Sequence, residues 1–485
     1  MNTKSKSSPK IVRYIVQAKD NKLVVYLITR YMTYFIQFLN SLLLANKLGP
    51  TNYGIWGFIL LLISYFSMVN FGLGNSMNVI LVQNRDRNSV QNEYIKNDMF
   101  LVTILGCIIM TIFLVYICTG MSWFSKYTIS YEFLIICIIA ILAHFNTNLT
   151  NISRVKNDFY RIAFYQSVIP LLSFICILIF DARNLLIALL LTYLIGNVVS
   201  IIVFLCRKSF SFAGRISKEK CIQILSKGWW LFIYNLFFYL ILVSTRTLIS
   251  RCYSIEDFGF FSFSFTLGDA VLLLFQAAAN VVFPKVLAKL GDKSANKSKT
   301  IKLIDSTYVM AVYFAVLCVC CLFPAILLLF PEYRSCNMCM SLVAITMALY
   351  TNSYAYTSYL MTNNKERLLA VVALLCLIVN VLLALLIIKI LRLPYSYVIL
   401  STMISYYLFY VLCVKFVQRI ANEKMGVFNW RLHIPTLCAL ALAVCGLDKY
   451  IFVALLFFVM LNLQNFKGLL SFVRTIWKDY RIINV

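Results

Sequence analysis

The sequence predicts an all-α polytopic membrane protein with about fourteen transmembrane helices, in which two pseudo-symmetric six-helix lobes surround a central cavity and two further helices follow. The composition, the recurrence of long apolar runs and an internal repeat support this fold class. Of the 485 residues, 62% are hydrophobic and 13% are charged, and the mean hydropathy is +0.84. This composition is typical of a chain that is largely surrounded by lipid.

Each membrane crossing needs about 20 apolar residues, because the hydrocarbon core is roughly 30 Å thick. The chain supplies fourteen such runs, although the last two are short, and a re-entrant or interfacial position stays open for each of them. The predicted spans are 23–45, 54–82, 99–119, 131–150, 162–180, 185–205, 229–250, 258–283, 307–330, 337–361, 368–390, 395–413, 434–447 and 450–463.

Lys and Arg residues indicate the orientation, since they are retained on the cytoplasmic side. With both termini inside, 34 of the 44 Lys and Arg residues fall on inner segments and 8 on outer ones. The net charge of +26 is therefore mainly a topological signal, and it does not indicate nucleic-acid binding. The predicted segments are a cytoplasmic lead-in (1–22), an N-lobe (23–205), a cytoplasmic linker (206–228), a C-lobe (229–415), two extra helices (416–463) and a cytoplasmic amphipathic tail (464–485).

The internal repeat is clearest in residues 42–58, where an apolar helix breaks at Gly49-Pro50 and a new helix begins near Gly54. Placing Gly54 over Gly259, an offset of 205 residues, aligns this stretch with the segment TRTLISRCYSIEDFGFFSF. A repeat of this length within one membrane chain indicates two parallel halves.

Polar residues within the first and seventh predicted spans lie on matching helix faces. The first span has polar residues at i, i+3, i+4, i+7, i+10 and i+11, which places them on one side of a helix: Arg30, Thr33, Tyr34, Gln37, Asn40 and Ser41. Asn235, Tyr239 and Arg246 occupy a corresponding face of the second half. Because polar groups are costly in lipid, we expect both faces to line a cavity between the lobes, as in an alternating-access transporter.

The second and eighth spans add Asn75 and its repeat partner Asn280, together with Asp269. Two arginines and one carboxylate leave the predicted cavity net positive, and guanidinium groups suit phosphate through paired hydrogen bonds. Arg30 and Arg246 are therefore candidate anion-binding residues. A purely structural alternative is open for both: Arg246 pairs with Asp269, and Arg30 extends to the inner boundary. Asp269 is the candidate for coupling to an ion.

Four motifs resemble the polysaccharide transporter branch (Wzx-type flippases) of the multidrug/oligosaccharidyl-lipid/polysaccharide (MOP) exporter superfamily. They are the LGPxxYG turn, the FGLGNSMN end of the second span, the duplicated SIEDFGFFSF and the FPK at residues 283–285. The resemblance implies two facing six-helix lobes, with cationic cavity residues that contact a polyprenyl diphosphate. The two extra spans depart from twelve-helix flippases and resemble fourteen-helix relatives, which include lipid II flippases.

This resemblance implies a flippase of the bacterial inner membrane. It would carry an undecaprenyl-diphosphate-type oligosaccharide to the outer leaflet for the synthesis of O-antigen, capsule or exopolysaccharide. Membrane lipids, a polysaccharide polymerase and a chain-length regulator are its expected partners, with no nucleic acid. No cofactor and no catalytic or metal site is predicted, and coupling to H⁺ or Na⁺ is open. The alternatives are another exporter of the superfamily, namely a drug or cation antiporter or a lipid II flippase, and a membrane glycan polymerase or acyltransferase.

Overall fold

The computed structural model of the protein describes residues 22–84, 87–121, 123–206, 211–291, 297–422 and 429–482. These residues form helices and short connections, and no strand occurs among them. Ten helices in this part of the chain are long and apolar enough to cross a membrane. The all-helical fold class is thereby confirmed. Of the cytoplasmic lead-in predicted for residues 1–22, positions 1–21 lie outside the described residues.

The helices in chain order define the labels used below. They are α1 (Lys22–Met68), α2 (Leu73–Gln83), α3 (Asn88–Cys118), α4 (Glu132–Val155), α5 (Phe159–Ile179), α6 (Ala182–Leu205), α7 (Lys218–Cys252), α8 (Ile255–Gly291), α9 (Lys297–Ile304), α10 (Met310–Leu329), α11 (Asn337–Thr351), α12 (Tyr354–Thr362), α13 (Glu366–Leu385), α14 (Ile399–Ala421), α15 (Trp430–Val444) and α16 (Ile451–Ile482). Thus α7 begins eleven residues before the predicted seventh span, and α16 continues through the predicted boundary at residue 464.

The first two predicted spans are joined in the single long helix α1, which is kinked where the sequence predicts a break. Gly49 has φ 66° and ψ 172°, a non-helical conformation that favours glycine. Pro50 follows at once and restarts the helix, because its fixed φ suits the first turn and its missing N–H has no partner there in any case.

The second predicted span differs from the prediction, because the helix is interrupted within it. α1 ends at Met68 and α2 begins at Leu73, and between them Phe71 and Gly72 have positive φ values of 48° and 75°. A break within a membrane leaves backbone groups that need partners from the protein. His144 of α4 supplies one of them, since its Nε2 lies 2.9 Å from the carbonyl oxygen of Phe66.

The tenth predicted span is also interrupted, because α11 ends at Thr351 and α12 starts at Tyr354. Asn352, which is buried at this break, has its Nδ2 3.3 Å from Nε2 of His433 in α15. The carbonyl oxygen of Asn429, 2.8 Å from His433 Nδ1, can only accept, so Nδ1 carries the ring proton and Nε2 accepts from Asn352. The first of the two extra helices is therefore hydrogen-bonded to the break in the tenth span.

Contacts divide the chain into two compact units. The first unit holds residues up to 43 together with 62–229, and the second holds 44–61 and 230–485. A cluster of fully buried apolar side chains from five helices forms a core of the first unit. Its members are Leu73, Met77, Ile80, Leu81, Ile95, Val102, Leu149, Ile152, Phe204 and Ile224.

The second unit contains a direct contact between the two repeat motifs, because the middle of α1 packs against the start of α8. A Cβ atom on Gly54 would lie 2.3 Å from the carbonyl oxygen of Ile255, and one on Gly259 would lie 1.9 Å from that of Pro50. The contact is reciprocal, since each glycine meets the carbonyl located four residues before the other glycine. Close backbone approach through small residues is a common way in which membrane helices associate.

Tyr53 extends this contact with aromatic packing inside the second unit. Its ring lies 6.0 Å from that of Phe263 and 6.4 Å from that of Tyr333, in edge-to-face geometry. The hydroxyl group of Tyr333 donates to the carbonyl oxygen of Ala45 at 3.2 Å. Residues 44–61 are thus held in the second unit both by backbone approach and by side-chain packing.

Replacing Gly259 with alanine is expected to destabilise the protein, because the new Cβ atom would meet backbone atoms of Pro50 that no side-chain rotation can move away. Overpacking of this kind costs about 1–3 kcal/mol. We expect a lower melting temperature of the purified protein in detergent. Gly106→Ala is the matched control, since its Cβ atom would meet only the flexible Ile141 side chain at 3.2 Å. Equal melting temperatures for the two variants would contradict the tight helix contact.

A double-mutant cycle tests the hydrogen bond between Asn352 and His433. His433→Leu removes the acceptor of a buried amide, for which we expect a loss of about 1–3 kcal/mol in the free energy of unfolding. Asn352→Leu combined with His433→Leu should cost less than the sum of the single changes, because both polar partners are then gone. Additive losses, measured by denaturant unfolding in detergent, would show that the two side chains do not interact.

Candidate functional site: the arginine-bearing helix faces

The predicted site residues are distributed over both units. Arg30, Tyr34, Gln37 and Asn75 belong to the first unit, and the others belong to the second. The second set is Asn235, Tyr239, Arg246, Asp269 and Asn280, of which the Asn280 side chain lies outside the described part of the structure.

Arg30 in the first unit is half-buried and is oriented by Tyr34, one turn further along α1. Its Nε donates to the Tyr34 hydroxyl oxygen at 2.7 Å, and its Cζ lies 4.5 Å from the centre of the same ring. The Tyr34 side chain is itself buried, with 5% of its surface exposed. A single aromatic side chain therefore fixes both the direction and the plane of the guanidinium group.

Arg30 has no acidic partner among the described side chains, where the ion pairs are those of Arg161 with Asp158 and Lys220 with Glu93. The bond to Tyr34 uses Nε, and no described residue accepts a hydrogen bond from the two terminal nitrogens, which carry four N–H groups. A planar pair of such donors matches two oxygens of a phosphate or a carboxylate. Arg30 is thus a charged group whose orientation is fixed and whose charge no described carboxylate neutralises.

The rest of the polar face of α1 divides between packing and exposure. Thr33 Oγ1 lies 2.7 Å from Ser167 Oγ, and Asn40 Nδ2 donates to the carbonyl oxygen of Pro170 at 2.8 Å. Both residues are buried and are hydrogen-bonded to α5. Gln37 lies between them along the helix and is half-buried. The stripe read from the sequence is therefore partly a helix-packing surface.

Asn75 is half-buried near the start of α2, just after the break in the second span. Its neighbour Asn78 donates from Nδ2 to Asn151 Oδ1 of α4 at 3.5 Å. The α2–α4 contact is thus polar as well as apolar. Asn75 remains a predicted cavity residue.

Arg246 in the second unit is in a different environment, since only 7% of its surface is exposed. Its Cζ lies 4.3 Å from the centre of the Phe265 ring. Its charge also acts on the Asp269 carboxyl group and on the Tyr53 hydroxyl group. This arrangement agrees with the structural alternative in which Arg246 and Asp269 compensate each other.

Asp269 is half-buried and interacts with aromatic hydroxyl groups as well as with Arg246. Its charge acts on Tyr350 and Tyr406, whose rings lie 5.4 Å apart in edge-to-face geometry. Asn235 and Tyr239 of α7 are exposed in the second unit, Tyr239 by 38%. An acid, an arginine and several tyrosines are thus grouped in this unit, with two exposed polar side chains on the same helix as the arginine.

The aromatic neighbours of Arg246 and Asp269 were not predicted from the sequence. Phe265 precedes Asp269 by four residues, so helical spacing could have identified it as a neighbour on the same face. Tyr53, Tyr350 and Tyr406 lie too far along the chain from Asp269 for any local pattern to connect them. Among the described residues, no group of three or more His, Cys, Asp or Glu side chains could hold a metal ion.

Comparison with known proteins gives a family match and a set of similar structures. The sequence model described as "Polysaccharide biosynthesis protein" matches residues 21–290, which is more than half of the chain. No curated protein matches the sequence.

Several solved structures share the fold at low sequence identity. The lipid II flippase MurJ in an inward closed conformation aligns with a TM-score of 0.68 and 13% identity, covering 93% of this chain and 99% of that one. An inward-facing multidrug resistance MATE family transporter of the MOP superfamily aligns with a TM-score of 0.62 and 12% identity, covering 82% and 100%. A MOP superfamily transporter from Pyrococcus furiosus gives a TM-score of 0.58 and 14% identity, covering 83% and 96%.

These similarities establish the fold, and the family match agrees with the resemblance found in the motifs. Ten apolar spans identify a multi-pass membrane protein. The chain belongs to the polysaccharide biosynthesis protein family and has the fold of MOP superfamily transporters.

Proposed function

We propose that this protein is a flippase that moves a polyprenyl-diphosphate-linked oligosaccharide from the cytoplasmic to the outer leaflet by alternating access. The moved glycan would serve the synthesis of O-antigen, capsule or exopolysaccharide. The proposed location is the bacterial cytoplasmic membrane, with both chain termini in the cytoplasm. In this proposal the protein is a transporter and performs no chemical step on its substrate.

The observation that best supports this proposal is the orientation of the Arg30 guanidinium group by Tyr34. A diphosphate head group offers several anionic oxygens, and Arg30 offers two terminal nitrogens whose direction is fixed by Tyr34. An arginine with no acidic partner in a membrane helix is costly unless an anion or water satisfies it. Binding the diphosphate would supply the anion that the Arg30 guanidinium group lacks. The substrate would then be oriented by its head group and not by its sugars.

The second unit supports a different role for Arg246. The Arg246 charge acts on the Asp269 carboxyl group, so part of its effect is taken up within the protein. Its burial and its contact with Phe265 also limit access. We propose that Arg246 shapes the wall to which Tyr239 and Asn235 contribute exposed side chains for the glycan. Asn75, Gln37 and Asn280 remain proposed cavity residues.

The membrane potential supports the proposed outward direction. An inside-negative potential favours outward movement of an anion by about 2.3 kcal/mol per charge per 100 mV. Coupling to H⁺ or Na⁺ is a further possibility in this proposal, with Asp269 as its candidate residue. Proposed partners are membrane lipids, a polysaccharide polymerase and a chain-length regulator.

A second candidate function, lipid II flipping, is favoured by one observation. The alignment with the lipid II flippase MurJ covers 93% of this chain, against 82% for the MATE transporter. Lipid II also carries a polyprenyl diphosphate, so the role of Arg30 would be the same for either substrate. Complementation of a strain that lacks its lipid II flippase, beside one that lacks an O-antigen or capsular flippase, separates the two.

Arg30→Ala is expected to reduce surface glycan strongly in the complemented strain at equal protein level, because the substrate loses its charged contact. Loss of a charge-assisted bond of about 1.5–3 kcal/mol corresponds to a reduction of roughly 10- to 100-fold in transport. Arg30→Lys should keep part of the activity, since it retains the charge but not the paired geometry. The measurement is quantitative staining of surface glycan.

Tyr34→Phe is the matched variant, because it keeps the ring below the guanidinium and removes only the hydroxyl group that binds Nε. We expect a smaller loss, seen as weaker apparent affinity for the lipid-linked substrate in proteoliposomes with an unchanged melting temperature. Full activity of Arg30→Ala would contradict the proposed anion site. Failure of wild type in both strains, without accumulation of lipid-linked intermediates in the native host's deletion strain, would contradict flipping altogether.

Asp269→Asn is expected to reduce transport, because it leaves the buried Arg246 charge uncompensated. Adding Arg246→Gln should restore much of the activity, since the double variant has neither charge. The dependence of transport on an imposed pH gradient, measured in proteoliposomes, should remain as in wild type. Loss of that dependence without rescue by Arg246→Gln would instead assign Asp269 to proton coupling.

A further inference from the structure

The connection between the two sequence halves, predicted as a cytoplasmic linker over 206–228, is bound to the first unit along much of its length. Residues 211–217 lead into α7, which begins at Lys218. Residues 62–229 belong to the first unit and residues from Trp230 onward to the second, so this boundary falls inside the continuous helix α7. We refer to residues 211–228 as the strap.

Side chains of α3 bind the backbone of the strap before α7 begins. Asn97, which is fully buried, donates from Nδ2 to the carbonyl oxygen of Arg215 at 3.1 Å and accepts from the Ser217 N–H at 2.8 Å. Lys96 Nζ donates to the carbonyl oxygen of Gly214 at 2.7 Å. In a flexible linker these backbone groups would be hydrogen-bonded to water, whereas here they are hydrogen-bonded to side chains of α3.

Side chains of α3 also bind the first turns of α7. Glu93 forms an ion pair with Lys220, and Tyr94 donates its hydroxyl hydrogen to Gln223 Oε1 at 2.6 Å. Gly214 has φ +120°, and a Cβ atom there would lie 2.8 Å from Glu93 Cγ. The strap therefore follows the inner end of α3 so closely that a residue with a side chain would not fit at this point.

Apolar packing and a second glycine fix the far end of the strap. Ile224 has no exposed surface and belongs to the apolar core of the first unit. Gly228 packs against α2, since a Cβ atom on it would lie 2.3 Å from Ser76 Oγ and 2.9 Å from the Gly72 carbonyl oxygen. Lys227 Nζ also donates to Gln83 Oε1. The strap is held by hydrogen bonds, an ion pair and core burial together.

We propose that the strap stays bound to α3 throughout the transport cycle and moves as part of the first unit. The functional part of this inference rests on the proposed flippase activity. Any rearrangement between the two units would then be taken up within α7 beyond Gly228, and not in the loop before Lys218. The inner end of α7 would act as a rigid lever, although its residues lie near the start of the second sequence half.

Covalent attachment of the strap tests this inference. Glu93→Cys and Lys220→Cys are introduced at the ion-paired positions in a Cys221→Ser background, which removes the neighbouring native thiol. The two thiols are joined in proteoliposomes with a bifunctional methanethiosulfonate reagent, whose spacer bridges the distance that the longer ion-paired side chains span and whose bonds a reductant cleaves. The cross-linked peptide is quantified by mass spectrometry. Cross-linked protein should retain at least half of the transport of the same variant under reducing conditions. A fall below half that reductant reverses would overturn the inference.

The formation of the cross-link gives a second readout that needs no transport. A permanently bound strap should cross-link nearly completely and with a single rate, with or without a membrane potential. A reaction that stops below half, or whose rate changes with the potential, would overturn the inference. If wild-type protein fails to transport, the proposed function fails while this readout still decides the state of the strap. Glu93→Ala with Lys220→Ala, which removes the ion pair without adding thiols, is the matched control for transport.

Discussion

The close approach of Gly54 and Gly259 is the constraint on which the arrangement of the second unit depends. Two helices can meet backbone to backbone only where neither carries a side chain, and here each glycine faces a carbonyl oxygen of the other helix. This contact holds the middle of the kinked first helix among residues of the second half of the chain. The kink at Gly49 makes it possible, because it changes the direction of the helix just before the contact.

Two interrupted spans show how a membrane protein satisfies the backbone and side-chain groups that a break leaves without helical partners. In the first unit His144 reaches the end of α1 through the Phe66 carbonyl oxygen. In the second unit His433 accepts from Asn352 at the break between α11 and α12. Both histidines thus serve the same physical requirement. The second comes from one of the two extra helices, which makes α15 part of the second unit's interior.

The two membrane arginines demonstrate that the same residue type takes its role from its surroundings. Each lies over an aromatic ring, yet Arg30 has no acidic partner among the described residues, whereas Arg246 is buried next to Asp269. A charge compensated inside the protein adds little to the attraction of a ligand.

The sequence by itself determined the class of protein, the kink at Gly49-Pro50 and the repeat. Hydropathy, proline and glycine act on their immediate surroundings, so their effects can be predicted from short stretches of sequence. It also placed Arg30 and Tyr34 on one helix face, since one face of one helix is a local pattern. Only the tertiary structure decided that Thr33 and Asn40 pack against α5, that Arg246 is buried over the Phe265 ring, and that the strap binds to α3. These outcomes depend on contacts between residues far apart in the chain, and local spacing carries no information about which helices become neighbours.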